Sequence, residues 1–298
     1  MSPVLALVIA NIVWGGGLPF FKHTLHTIPP FLLAFLRFSL ASFILVPFVW
    51  KAPLKQITQN DWRAILWGAF FATFINISAL FLGLERASSI TAGVFAASQP
   101  IFFFLLSIVL LKERAEKKVL SGILISLVGI CIIIFMPILS HTAEGGSSSV
   151  LGIVFYFLAT MGAVVGPIIL KPILGKVNPI VVTYFGFIIS AVLFLPMALH
   201  EVYTGQVGAI DPLSWAGLAY GIFGSSTISY LLFNYGTSKV PAQELGIFSY
   251  INPITSAIIA SFLFHEYPDK NFFIGALVVF VGIIICEGRF HHPKKKYS

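Results

Sequence analysis

The sequence predicts an all-α membrane protein: ten transmembrane helices as a 5+5 inverted repeat, with both termini cytoplasmic. Three observations predict it. Apolar residues make up 58% of the 298 residues and charged residues 10%, against roughly 45–50% and 25% in a soluble domain. The apolar residues fall in long runs, each near the ~20 residues that cross a bilayer core. The first half of the chain also matches the second at a nearly fixed offset. So little charge cannot cover a soluble particle of this size. A soluble enzyme, a disordered chain and a secreted disulfide scaffold are therefore excluded, and lipid becomes the outer solvent.

The runs cover about 3–22, 30–50, 62–84, 88–111, 118–139, 150–171, 179–199, 213–237, 241–264 and 271–288. Membrane β-strands are about 10 residues of alternating polarity. These runs are continuous and twice as long, so they read as helices. Met1-Ser2-Pro3 carries no basic side chain and the first run is as long as its neighbours, so it reads as a retained helix rather than a cleaved signal. Cys131 and Cys286 lie in apolar runs with no zinc spacing and no disulfide framework, and read as small buried hydrophobes. No metal or cofactor is expected.

The net charge of +7 sits between the runs. With the N-terminus cytoplasmic, fourteen of the 18 Lys and Arg fall in inside segments, among them Lys51, Lys55, Arg63, Lys112, Arg114, Lys117, Lys118 and Lys294–Lys296. Lys22, Arg86 and Lys270 fall outside, and Arg37 lies within a span. This bias sets orientation in membrane proteins, so the charge reads as topology and no nucleic-acid partner is expected. The basic tail, 290–298, reads as an anchor; its last four residues also fit a dilysine retrieval signal.

Shifted by 149, Gly17 meets Gly166, Lys22 meets Lys171, Pro30 meets Pro179 and Pro47 meets Pro196. At 153, Trp62 meets Trp215, Gly68 meets Gly221, Gly83 meets Gly236, Pro100 meets Pro253 and Glu113 meets Glu266. Gly122 and Gly129 likewise meet Gly275 and Gly282. The repeats are 1–139 and 150–289, joined by the polar linker His141 to Ser149. Five spans per half is odd, so the second copy inserts from the opposite side. Secondary transporters use such inverted repeats to open a shared site to each side in turn, whereas a rigid anchor gains nothing from one.

Asn11-Ile-Val-Trp14-Gly15, the downstream Lys22, and Pro30 with Leu33-Ala-Phe-Leu-Arg37-Phe38 resemble the opening of EamA-type members of the drug/metabolite transporter superfamily. So do Ala87 to Pro100, Lys112-Glu113-Arg114 and Gly122 to Gly129, with weaker echoes at Ala242–Pro253, His265-Glu266 and Gly275 to Gly282. The resemblance spans essentially the whole chain. It implies ten helices, a central cavity among the first, third, fourth, sixth, eighth and ninth of them, and export or exchange of small metabolites such as amino acids across a bacterial or archaeal cytoplasmic membrane. The second half departs from the pattern: Gly186 stands opposite Arg37 and Ala163 opposite Trp14.

Polar groups at mid-membrane cost free energy unless partnered, which makes them functional candidates. Gln99-Pro100 and Asn252-Pro253 are equivalent in the repeat, and each lies near mid-span. Proline removes a helical hydrogen bond and a carboxamide beside it both donates and accepts, so an interrupted helix is expected at both places. Asn11 and Trp14 share a face of the first span; Thr73 and Asn76 share one on the third. Tyr156 and Thr160 do so on the sixth, Ser226, Tyr230 and Asn234 on the eighth, and Ser249, Asn252 and Ser256 on the ninth, with Tyr250 nearby. The expected substrate contacts are Asn11, Trp14, Asn76, Gln99, Tyr156, Tyr230, Asn234, Tyr250 and Asn252; interhelical hydrogen bonding is the alternative use of the same groups. Arg37, Pro100, Pro253, Glu113 and Glu266 are expected to act in gating or structure. Gly122, Gly129, Gly275 and Gly282 suit close helix approach at the periphery or at a homodimer contact.

No HExxH, no nucleophile–base arrangement and no pair of mid-span carboxylates is present, so an intramembrane enzyme is not the reading. Charge rings that would mark a channel are missing too. A site of amides and aromatics with one candidate cation, Arg37, suits a zwitterionic or neutral solute better than a phosphate ester. Amino acids come first, by efflux or exchange; nucleosides, amines and small drugs follow. The alternatives are a sugar-phosphate or nucleotide-sugar exchanger, and a membrane receptor or scaffold that carries no flux.

Overall fold

The structure, a computed structural model, describes residues 1–50, 52, 54–84, 86, 89–139, 149–264 and 270–287. They are helical, with no strand among them. The segments are α1 (Pro3–Thr24), α2 (Pro30–Val49), α3 (Gln59–Ala69), α4 (Asn76–Leu84), α5 (Ser89–Leu111), α6 (Lys117–Leu139), α7 (Val150–Leu174), α8 (Pro179–Tyr203), α9 (Pro212–Tyr220), α10 (Ser229–Lys239), α11 (Ala242–Leu245), α12 (Ile251–Phe264) and α13 (Lys270–Glu287). Most of the linker, the His265-Glu266 motif and the basic tail lie outside the described residues.

Local chemistry sets the ends. Pro30, Pro179 and Pro212 occupy first-turn positions, where a missing N–H costs nothing. Ser2, Ser149 and Asp211 cap α1, α7 and α9 by accepting from first-turn amides. Among the described residues, seven helices are long and apolar enough to cross a membrane. They carry an apolar outer surface that water would not tolerate: Phe43 is 76% exposed and Phe262 76%. Trp50 and Tyr203, at the ends of α2 and α8, are 81% and 91% exposed, as in an interfacial aromatic belt. This is an integral multi-pass membrane protein.

Two of the long helices contain an unexpected irregularity. Phe70–Ile75 joins α3 to α4 as π-helix, and Gly221–Ile228 joins α9 to α10 in the same way. A π-turn widens the ring by one residue and frees backbone groups for use elsewhere. In the second, the Thr227 hydroxyl donates to the carbonyl of Ile222, five residues back.

The expected interruption appears at one of its two places. Gly246–Tyr250 is a 3₁₀ turn leading into Asn252-Pro253 at the start of α12. At Gln99-Pro100 α5 runs on without a break. The two places pack on each other: Gly246 of the 3₁₀ turn lies against the Pro100 backbone, where a built Cβ would lie 2.5 Å from Pro100 Cα.

Helices pair closely where residues are small. α6 packs along α13, and α2 along α8. α1 lies against α12 and against α9 and α10; α7 lies against α5 and against α3 and α4. The glycines predicted for close approach meet one another within the chain. A Cβ on Gly122 would lie 2.6 Å from the Gly282 carbonyl oxygen, and one on Gly129 2.6 Å from that of Gly275.

Candidate functional site

The π-turn between α9 and α10 exposes a backbone carbonyl that α1 uses. Trp14 Nε1 donates to the Ser225 carbonyl at 2.8 Å. The Trp14 ring packs edge-on to Tyr230 at 5.2 Å and against Phe233 at 5.1 Å. The same serine serves α2: Arg37 Nη2 donates to Ser225 Oγ at 3.2 Å. Arg37 is buried, its guanidinium carbon 4.3 Å from the Phe21 ring centre and 5.6 Å from that of Phe38, and its Nε has no partner among the described residues. Trp14, Arg37 and Tyr230 are thus brought together around Ser225, a residue the sequence reading passed over.

A second group forms across α4, α5 and α7. Asn76 Nδ2 donates to the Ala159 carbonyl at 2.8 Å, and Thr160 Oγ1 to that of Phe95 at 3.4 Å. Tyr156 is buried beside Gly83, and its hydroxyl has no partner among the described residues. A third group lies where α5 crosses α11 and the 3₁₀ turn Gly246–Tyr250. Tyr250 donates to the Ala97 carbonyl at 3.0 Å. The Asn252 backbone packs on Gly15, while its Oδ1 is buried without a partner among the described residues.

Other predicted contacts serve structure here. Asn11 donates to the Leu7 carbonyl of its own helix, and Asn234 to Thr183 Oγ1 on α8, both at 2.8 Å. Gln99 is partly buried and makes no hydrogen bond among the described residues. A cavity of about 390 Å³ lined by Pro30, Phe31, Pro196, Met197, His200, Glu201 and Gln206 contains none of the predicted contacts. Pro253 sits in the first turn of α12, where proline is tolerated. Glu266 lies outside the described residues.

The bundle is tied at both ends by polar contacts. At one end Glu113 accepts from the amides of Ala242 and Gln243, at 2.8 and 3.0 Å, and so caps α11. Gln243 in turn joins the Glu116 amide and the Arg114 carbonyl. Lys171 Nζ donates to the Thr237 and Val240 carbonyls at the close of α10. At the other end His23 meets Asp211 at 3.1 Å, Thr27 donates to Ser214 at 2.8 Å, and Glu201 caps α2 through the amides of Phe31 and Leu32. Hydrogen bonds from the Ser214 hydroxyl first, then from the Ser214 amide, His23 and the Leu213 amide, hold the Asp211 carboxyl well below the usual carboxylate range. Lys171, Glu201 and Asp211 were not singled out from sequence. Each stands at a helix end, where a charge reads as a surface residue until its cross-chain partner is known.

The family model for the EamA-like transporter family matches residues 1–135 and 150–286. The chain is similar to the transporter YetK of Bacillus subtilis, at 25% identity over 96% of this chain and 86% of the relative. It is similar to a transporter of Archaeoglobus fulgidus at 26%, over 96% and 98%. An S-adenosylmethionine uptake transporter of Rickettsia felis is 29% identical, over 84% and 80%. One solved crystal structure, 19% identical, shares the fold with a TM-score of 0.78 over 96% of this chain and 97% of its own.

Proposed function

The chain belongs to the EamA-like transporter family, and from that premise we propose that it moves a small zwitterionic or neutral metabolite by alternating access. In this reading ten spans form two oppositely inserted repeats, 1–139 and 150–289, with both termini cytoplasmic. The site lies between them, at Trp14, Tyr230, Asn76, Tyr156, Gln99 and Asn252.

The observation that carries the proposal is the exchange of contacts between halves. Swap the repeats and α1 on α9 and α10 becomes α7 on α3 and α4; α1 on α12 becomes α7 on α5. The α2–α8 and α6–α13 pairs map onto themselves. The two π-turns fall at equivalent positions as well. One contact has no equal counterpart among the described residues: α7 packs on α10, bridged by Lys171, but α1 and α4 make no comparable contact. A packing that matches its own exchange of halves in all but this one contact supports a device with two arrangements of one packing. The orientation is supported by Met1, whose carbonyl accepts from Tyr235, and by Cys286, which packs on Gly122; both lie toward the basic end.

Amino acids remain the first substrate class. The Rickettsia relative is named for S-adenosylmethionine, itself an amino-acid derivative with a sulfonium cation. The Trp14 and Tyr230 rings suit such a cation or an ammonium. The test is uptake of amino acids into proteoliposomes by wild type and by Asn76→Ala, Trp14→Ala, Gln99→Ala and Asn252→Ala. At least one variant should lose about tenfold or more in flux. Full flux in all four would remove the site. Strict dependence on an imposed pH gradient would contradict simple exchange.

A further inference from the structure

Arg37 is a buried cation without a counter-charge. It is 3% exposed and lies about a third of the way along α2, inside a membrane span. No ion pair joins it to a carboxylate among the described residues. Of the five N–H donors of a guanidinium, one reaches a protein acceptor, Ser225 Oγ, and Nε is buried with none. The Phe21 and Phe38 rings both lie near the guanidinium, and its stem lies against Gly221. Charged groups inside membranes normally find partners, and aromatic faces supply only part of what water gave.

A second unused donor belongs to a residue that packs on the same ring as Arg37. The Tyr230 ring centre is 6.1 Å from that of Phe38, the ring that also covers Arg37. Its hydroxyl makes no hydrogen bond among the described residues. Unused donors, one positive charge and aromatic walls favour an anion over a second cation. A single guanidinium matches a single negative charge, and its planar fork fits a carboxylate through two parallel hydrogen bonds. The site rests on asymmetry between the repeats: Gly186 stands where the second half would repeat Arg37.

We infer that Arg37, with the Tyr230 hydroxyl as a second donor, binds the carboxylate of the transported solute, so that the substrates are carboxylate-bearing metabolites. This rests on the transport reading above and narrows it. Arg37 becomes a specificity-determining residue instead of a packing strut. The aromatic pair Trp14 and Tyr230 then faces the rest of the solute.

The test compares matched pairs on the purified full-length protein. L-Leucine, L-methionine and L-phenylalanine are set against leucinamide, methioninamide and phenylalaninamide, with glycerol 3-phosphate as a dianionic control. Binding is read by ligand-induced thermal shift, and transport by flux in proteoliposomes. In wild type at least one acid should bind about tenfold or more tightly than its amide, the difference expected for a lost charge-assisted contact. Arg37→Gln should erase that preference, and Arg37→Lys should keep part of it. The wild-type acid-to-amide ratio alone decides the case if Arg37→Gln does not fold. The inference is overturned if acids and amides bind alike, if the phosphate ester is preferred, or if Arg37→Gln keeps the wild-type ratio. Equal flux of acids and amides would overturn it while leaving transport intact. No binding and no flux by any member would overturn both.

Discussion

Gly122 and Gly282 face each other so closely that a Cβ built on either would lie 2.6 Å from the carbonyl oxygen of the other. Gly129 and Gly275 repeat the relationship in both directions, again at 2.6 Å. At the repeat offset Gly122 corresponds to Gly275 and Gly129 to Gly282, so exchanging the halves converts one pair into the other. In lipid, where apolar burial does not distinguish helix contact from lipid contact, such backbone approach is a main source of affinity between helices.

Adding a side chain there should separate α6 from α13. Gly122→Val and Gly275→Val are expected to destabilise by similar amounts, about 1–3 kcal/mol each. Thermal unfolding in one detergent checks this; a large cost for one and none for its equivalent would contradict the paired arrangement.

Trp14→Phe keeps a ring against Tyr230 and Phe233 but removes the donor to the Ser225 carbonyl. It should lower flux less than Trp14→Ala, with the alanine variant down about tenfold or more. Initial rates in proteoliposomes, at matched protein content, rank the two.

Glu113 caps α11 with both carboxylate oxygens. Glu113→Ala should cost about 0.5–2 kcal/mol, the range for a lost cap, and Glu113→Gln less. Because the cap joins the end of α5 to the start of α11, the alanine variant should also make Gln243→Cys react faster with a water-soluble maleimide. Unchanged labelling would limit Glu113 to local capping.

Asp211 gives a pH dependence with a defined sign. Its folded-state carboxyl is depressed below its ordinary value, so the stability it contributes is present above the usual carboxylate range, about 4, and is lost as pH falls through the folded value. Melting temperature should therefore decline on acidification below about pH 4, and Asp211→Asn should flatten that part of the profile. The same slope in wild type and variant would assign the effect to other carboxylates.

The helices were legible because their signal is one-dimensional: apolar runs bounded by Pro, Gly and charge place Val150–Leu174 and Pro179–Tyr203 within a few residues. The glycine contact was half legible. Spacing marked Gly122 and Gly129 as suited to close approach, but not α13 as their partner. The π-turns were not legible, since a one-residue slip in hydrogen bonding leaves the apolar pattern nearly unchanged. Pro100 misled in its turn: α5 runs on through it, and the irregular backbone lies instead at Gly246–Tyr250, packed against it. Ser225 escaped notice as a small polar residue whose two partners, Trp14 and Arg37, lie 211 and 188 positions away. Distance along the chain hides a site built between halves.

Counterflow is the most direct measurement of the central claim. Proteoliposomes loaded with a millimolar mixture of unlabelled amino acids are diluted into a trace of one labelled member. Two halves that open one site to each side in turn should produce a transient, saturable accumulation of label above equilibrium. Label that rises only to equilibrium without saturation, or does not enter at all, would contradict the account.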